Sequence, residues 1–149
     1  MKRIVLIAVI VFGLGLKSIS MAADDAKDAL QGVWVAKSMK ADGKPAPKDT
    51  LKRMRFTFEG DKLRIRGNSK TDEDEDEMTY TVDAEQSPKH LDFTPPKAEK
   101  PVLAIYEIKG DELKVCMRHA KSTEGRPTKF ESTPNSRLVL IVFKKQKPK

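Results

Sequence analysis

The residues of this chain that could carry metal or nucleophilic chemistry are one cysteine and two histidines. Cys116 and His119 are three positions apart, and a thiolate and an imidazole can begin a zinc site, with His90 as a third ligand. On a strand, residues three apart point to opposite faces, so Cys116 and His119 converge only if the strand ends before His119. We interpret Cys116 as a shielded thiol and the histidines as surface residues. We therefore expect no metal site and no cofactor.

An acidic run, "DEDEDE", covers Asp72 to Glu77 and could attract calcium. Aligned with an EF-hand loop, it places Glu77 where a glycine is needed and Asp83 where a bidentate glutamate is preferred. The run is therefore interpreted as a solvated hairpin tip.

Catalytic motifs are missing from the sequence. It contains no G-x-S-x-G, no H-E-x-x-H, no glycine-rich phosphate loop and no paired C-x-x-C. Two histidines and one cysteine leave little material for acid–base or nucleophilic catalysis near neutral pH. The sequence therefore predicts a protein that is not an enzyme.

Four arginines share the outer side of two predicted neighbouring strands: Arg53, Arg55, Arg64 and Arg66. If Gly60 and Asp61 form the turn, Arg55 lies opposite Arg66, and like charges at opposed positions cost stability. Either an anionic partner covers this arginine face or the acidic run that follows it neutralises the charge. The second explanation is the simpler one.

The first 22 residues have the layout of a secretory signal peptide. Lys2 and Arg3 precede an apolar run over residues 4–16, and the small residues Ser20 and Ala22 follow. That run is shorter than the ~20 residues of a membrane span. The formal net charge is +7 with this segment and +4 without it, because the segment holds three basic residues and no acid. An uncleaved anchor is the alternative to cleavage.

We therefore expect a signal peptide over residues 1–22 and one domain over residues 23–149. The product is predicted to be exported, to the periplasm, the cell surface or the medium, without a stable membrane span. Nucleic acid is not an expected partner, because the chain is exported and offers few exposed aromatic residues.

Apolar and polar residues alternate along most of the remaining chain. Eight segments are typical of strands with one buried face and one solvent-exposed face. They begin near residues 33, 53, 62, 78, 90, 102, 112 and 137. Two copies of one pattern, "FEGDKLRI" and "IKGDELKV", place Gly-Asp between such strands, as two-residue hairpin turns require.

Sequential hairpins without crossover helices predict an all-β fold, an eight-stranded up-and-down antiparallel barrel with a short N-terminal helical turn. A sandwich is the alternative. Closure of the barrel brings the last strand beside the first, so that Trp34 lies near residues 143–145. Gly32 allows a tight bend, and the indole plugs that end of the barrel. We expect Trp34, Ala36 and Ser38 to face inward.

The alternation predicts an interior of large apolar residues. The inward set is Trp34, Met54, Phe56, Phe58, Leu63, Ile65, Met78, Tyr80, Val82, Leu91, Phe93, Tyr106, Val115 and Met117. The candidates for a ligand pocket within it are Met54, Phe56, Phe58, Ile65, Tyr80, Phe93, Tyr106 and Met117. An eight-stranded barrel is wide enough to be filled by such side chains or to hold one small ligand.

The pair Gly32-x-Trp34 resembles the signature of lipocalins and fatty-acid-binding proteins. Over residues 29–145 the chain resembles a lipocalin-like domain family of unknown function that is abundant in planctomycete-type bacterial genomes, in "LQGVW", "DGKPAP", "LRIRG", "LDFTPP", "IYEIKGDELKVCM", "GRPTKF" and "LVLIVFKK". The resemblance implies an exported β-barrel without an established catalytic site. It also implies a basic side chain stacked on the indole, for which Lys144, Lys145 and Arg126 are the candidates. The acidic run departs from the family, which has a shorter, more glycine-rich hairpin there.

The sequence thus predicts an exported, non-catalytic barrel that binds a small apolar or amphipathic molecule. The alternative is a protein-interaction or inhibitor module with a filled barrel, whose loops or arginine face contact another protein.

Overall fold

A computed structural model describes residues 21–67, 74–119, 122 and 124–149. The predicted signal peptide therefore lies almost wholly outside the described residues. Two helices and nine strands follow one another: α1 (Met21–Leu30), β1 (Gly32–Ala41), β2 (Lys44–Pro45), α2 (Lys48–Arg53), β3 (Arg55–Glu59), β4 (Lys62–Arg66), β5 (Glu75–Asp83), β6 (Lys89–Thr94), β7 (Val102–Lys109), β8 (Glu112–Arg118) and β9 (Leu138–Lys145).

Each long strand pairs antiparallel with its neighbour in the chain, and β9 returns to pair with β1. The two-residue strand β2 pairs with the end of β1 and lies beside the closed ring. The remaining eight strands form the predicted up-and-down barrel, which is confirmed, as is the short N-terminal helix. Closure leaves no long strand of the ring with an unpaired edge.

The turns have the geometry that their glycines allow. Gly60 and Gly110, the first residues of the two Gly-Asp turns, have φ of +62° and +59°. This left-handed region is open to glycine at little cost, and it suits the tight hairpins β3–β4 and β7–β8. The two copies of the sequence pattern therefore form hairpin turns in which the glycine has the same backbone conformation, as predicted.

The barrel interior is the main hydrophobic core. The predicted inward residues belong to it, except Val82 and Met117, which are partly buried and pack against it. The half of the barrel around Trp34 is filled with aromatic rings. Phe56 and Phe143 lie 4.6 Å apart between ring centroids, and Phe58 and Tyr80 meet edge to face at 5.0 Å. Such contacts add to the free energy gained by burial alone.

The prediction for Ser38 is wrong. A β-bulge in β1 shifts the register between Ala36 and Ser38, so that Ala36 lies opposite Phe143 but Ser38 lies opposite Val142. An extra residue reverses the alternation beyond it, and Met39 takes the inward position instead. Ser38 is exposed.

Two segments between the strands of the ring have distinct structures. Residues 48–53 form α2, so Arg53 ends a helix and does not extend the strand. The stretch "TKFES" forms no strand; its Phe130 packs on a second apolar cluster outside the barrel with Ile105, Cys116 and Leu138. The long connection before β9 thus covers the outer face of β7 and β8.

Candidate functional site

The barrel interior is open at the end opposite Trp34, where it contains a cavity of about 360 Å³. Its lining is mostly apolar and includes four methionines: Met39, Ala41, Met54, Phe56, Ile65, Met78, Phe93, Pro95, Val102, Met117, Val139 and Ile141, with Asp76, Arg118 and His119 at the rim. Small-molecule sites usually enclose ~300–1,000 Å³. The mouth cavity therefore has room for one small ligand.

The cavity ends where the aromatic packing begins. The ring of Phe56 lines the cavity and also stacks against Phe143, so it separates the open half of the barrel from the filled half. Above it, Met54, Met78 and Met117 supply unbranched side chains that adapt to irregular shapes. The filled half holds the aromatic rings of Phe143, Phe58 and Tyr80, whereas these methionines line the open half.

The predicted pocket residues divide between the two halves. Five of them line the mouth cavity: Met54, Phe56, Ile65, Phe93 and Met117. The other three, Phe58, Tyr80 and Tyr106, lie in the filled half, and none of them lines the cavity. Sequence reasoning missed Met39 and Ala41, because the β1 bulge reverses their side, and it also missed Val139 and Ile141. Strict alternation back from Phe143 in β9 could have found those two.

The rim of the cavity carries a few polar groups. Arg118 is held by its neighbours: Nε donates to the carbonyl of Gly125 at 2.6 Å, and NH1 donates to the carbonyl of Ser136 at 3.2 Å and pairs with Glu124 at 2.6 Å. The side chain of His119 is exposed. Asp76, from β5, also lies at this rim, and its carboxylate forms no hydrogen bond or ion pair with another described residue.

A second hollow, of about 490 Å³, lies beside the mouth and outside the barrel, between the segments around Pro101 and Gly125. It shares Val102, Arg118 and His119 with the rim of the mouth cavity. Its walls combine residues of β7 and β8 with residues of the connections that flank these strands.

The closed end of the barrel is built on Trp34, which is completely buried. Its Nε1 donates to the carbonyl of Leu30 at 2.7 Å, which ties the end of α1 to the barrel floor. Gln31 then connects this helix to the first Gly-Asp turn, since it accepts from the amide of Gly60 at 2.8 Å and donates to the Tyr80 hydroxyl at 3.0 Å. Trp34 thus closes the floor and anchors the helix.

The cation on the indole is Lys145, whose Nζ lies 5.2 Å from the ring centroid. Of the two lysine candidates, Lys144 does not take this position, because Lys145 is the residue opposite Trp34 in the β1–β9 register and Lys144 points outward to Asp111. Gly32 makes room for the lysine: it has φ +112°, and a Cβ there would lie 3.3 Å from Lys145 Cε.

Arg126 does not approach the indole either. Its guanidinium holds both carboxylate oxygens of Asp92 and donates to the carbonyl of Ala104 at 2.7 Å. Asp92 lies on β6, four strands from β1 in either direction around the ring. Arg126 therefore fastens the long connection to the outer wall on the far side of the barrel.

The arginine face consists of Arg55, Arg64 and Arg66, while Arg53 belongs to α2. Arg64 is neutralised by Glu77, at 3.3 Å, and by Glu59. Arg55 lies directly opposite Arg66, as predicted, and the Nε atoms of both are buried without a hydrogen-bond partner among the described residues. The acidic run thus neutralises part of this face, while neither Arg55 nor Arg66 forms an ion pair within the described part of the chain.

Lys62 contributes to the same neutralisation. Its ammonium lies 2.7 Å from Glu77, which holds the pKa of Glu77 below its usual value and raises that of Lys62. Both side chains are about half exposed, so the pair is screened by solvent and contributes little to stability.

Cys116 is completely buried in the outer apolar cluster, and its Sγ donates weakly to the carbonyl of Glu131 at 3.5 Å. Burial raises the pKa of this thiol, which keeps it protonated and unreactive. Across residues 21–67, 74–119, 122 and 124–149, no three His, Cys, Asp or Glu side chains are grouped so that they could hold a metal ion.

Comparison with known proteins identifies no relative: no family model, no curated protein and no solved structure matches this chain. In the part of the chain that the structure describes, no helix is long and apolar enough to cross a membrane.

Proposed function

We propose that this protein is an exported, lipocalin-like barrel that binds a small apolar or amphipathic molecule in the mouth cavity and catalyses no reaction. The observation that carries this proposal is the cavity of about 360 Å³ inside the barrel mouth, with its apolar lining. Transfer of apolar ligand surface from water into such a site is favourable by roughly 25 cal/mol per Å² before the costs of association.

The filled half of the barrel supports the same function. A solid floor around Trp34 and Phe143 leaves the mouth as the entrance, and it fixes the positions of the strands that form the cavity wall. A rigid wall reduces the entropy lost when a ligand binds.

A binding titration with a matched pair of variants tests the proposal. The probe is N-phenyl-1-naphthylamine, a neutral apolar dye whose fluorescence rises when it leaves water, and decanol is the competitor. Ala41→Phe fills the cavity from β1. Lys40→Phe, one residue earlier, adds the same side chain at an exposed position.

We expect the parent and Lys40→Phe to bind the dye with similar affinity and to release it to decanol, and Ala41→Phe to bind it much more weakly. Dye binding that Ala41→Phe leaves unchanged, with circular dichroism showing a folded variant, would place the dye elsewhere and contradict the proposal. A parent that binds neither molecule would contradict it as well.

Export is proposed from the N-terminal pattern of Lys2, Arg3 and the apolar run. Mass spectrometry of the protein from its native cell envelope tests it. The expected mass is that of a chain beginning at Ala23 or Asp24, whereas a product that retains Met1 would contradict cleavage.

A protein-interaction module is the second candidate, and the Arg55–Arg66 pair favours it. Two guanidiniums held side by side on an outer face attract carboxylates of a partner, and such contacts are often bidentate. A mouth cavity that takes none of the apolar probes, in a protein that captures an acidic partner through this pair, would favour the second candidate.

A further inference from the structure

Two charged side chains, Arg118 and Asp76, lie at the rim of the mouth cavity. Arg118 has an ion-pair partner, and the Asp76 carboxylate has none among the described residues. Asp76 precedes the inward residues Met78 and Tyr80 by steps of two along β5, so its side chain belongs to the inner face. It lies opposite Ile65 in the β4–β5 register, and both residues line the mouth cavity. The carboxylate therefore stands at the rim of an apolar space.

The two other polar side chains at the rim do not cancel this charge. Arg118 pairs with Glu124 at 2.6 Å, and its guanidinium also donates to the carbonyls of Gly125 and Ser136. His119 is exposed, and its backbone amide donates to the carbonyl of Arg137 at 2.8 Å. Among the described residues, no group donates a hydrogen bond to the Asp76 carboxylate or forms an ion pair with it.

The outward neighbours of Asp76 belong to a different face. Glu77 is engaged by Lys62 and Arg64 on the outer wall of the barrel. Glu75 also faces outward, opposite Arg66. Within β5, the acidic residues 75–77 therefore divide into two outer carboxylates beside the arginine face and one inner carboxylate, that of Asp76, at the cavity rim.

We propose that Asp76 selects the polar head of the ligand, so that the cavity takes a cationic amphiphile: an apolar chain that ends in an ammonium group. The chain occupies the methionine-lined cavity, and the ammonium lies at the rim, where Asp76 accepts its hydrogen bonds. A fatty acid of the same length places a carboxylate beside Asp76 and is repelled. This inference rests on the proposed function, since it names the ligand class of the same cavity.

Three ligands with one chain and different heads test this selection: decylamine, decanol and decanoate. Each displaces N-phenyl-1-naphthylamine below its micelle concentration, at pH 8, where an ordinary alkylammonium and an ordinary carboxylate are both charged and a free histidine is neutral. Asp76→Asn removes the charge and keeps the shape. Glu75→Gln is the matched control, because it removes a charge of the same sign one residue away on the outer face.

For the parent and Glu75→Gln, we expect decylamine to bind at least about tenfold more tightly than decanoate, with decanol between them; tenfold corresponds to about 1.4 kcal/mol. For Asp76→Asn, we expect the amine and the acid to bind within about threefold of each other, while the affinity for decanol changes little.

Two outcomes would overturn the inference and leave the proposed function intact. One is decanol binding in the cavity with no preference for the amine in the parent. The other is an amine preference that Asp76→Asn retains. Failure of decanol to bind the parent at all would instead contradict the proposed function, so the two failures are distinguishable.

Discussion

Replacement of Trp34 by alanine should come close to unfolding the domain. The side chain is completely buried in the main hydrophobic core. Removal of a buried indole costs about 3–5 kcal/mol. A small domain has ~5–15 kcal/mol in total, so the loss is a large fraction of its stability.

Three smaller changes divide that cost into its parts. Trp34→Phe retains most of the packing but leaves the carbonyl of Leu30 without its donor at 2.7 Å, a loss of about 1–3 kcal/mol. Lys145→Met removes the cation 5.2 Å from the ring centroid and should cost ~0.5–2 kcal/mol. Lys144→Met is the control: its partner Asp111 is 3.7 Å away and both side chains are mostly exposed, so the change should stay within about 0.5 kcal/mol.

Urea unfolding followed by far-ultraviolet circular dichroism measures all four variants, because the two Trp34 variants contain no tryptophan for fluorescence. The expected order of stability is Lys144→Met, then Lys145→Met, then Trp34→Phe, then Trp34→Ala. If the slope of the free energy of unfolding against urea concentration is the same in all variants, unfolding exposes a similar surface in each of them. A Trp34→Ala protein within about 1 kcal/mol of the parent would refute the closing role of the indole, since surface changes have effects of that size.

Two further predictions concern a close backbone contact and a buried hydroxyl. Gly67→Ala should destabilise the protein far more than Gly60→Ala in the same urea assay. Both positions have positive φ, but a Cβ at Gly67 meets the backbone of Met54, between α2 and β3, at 2.8 Å, while the space at Gly60 is open. Equal losses would contradict this contact. Tyr106→Phe should not destabilise the protein at pH 7, because its buried hydroxyl has no hydrogen-bond partner among the described residues, whereas Tyr80→Phe should, because that hydroxyl donates to Gly60 at 2.8 Å. Burial raises the pKa of Tyr106 to about 12, so the unfolded chain releases this proton at a lower pH than the folded chain does. The free energy of unfolding should therefore fall by roughly 1 kcal/mol per pH unit as the pH rises from about 10 towards 12. Tyr106→Phe should lessen this fall, and an unchanged alkaline profile would contradict the role of Tyr106 in it.

Several parts of the candidate site followed from local pattern, while its geometry did not. Alternation over "RMRFTFE" predicted that Met54 and Phe56 face inward, and both line the cavity. The same alternation could not separate them from Phe58, which is equally inward but lies in the filled half. The distinction depends on which rings from β3, β5 and β9 meet across the barrel, and those residues are far apart in the chain.

The sequence by itself determined the eight strands of the ring, the two Gly-Asp turns and the inner face of most strands, because turn chemistry and a period of two are properties of neighbouring residues. It also determined that Trp34 lies near the end of β9, since an up-and-down barrel closes its last strand on its first. The tertiary structure alone decided that Lys145 and not Lys144 covers the indole, that a bulge turns Ser38 outward, and that Arg126 holds Asp92. It also decided that the mouth is hollow and that Asp76 stands at its rim. These features depend on register across paired strands and on how side-chain volumes from all eight strands add up in one space, and neither quantity is encoded in any single segment.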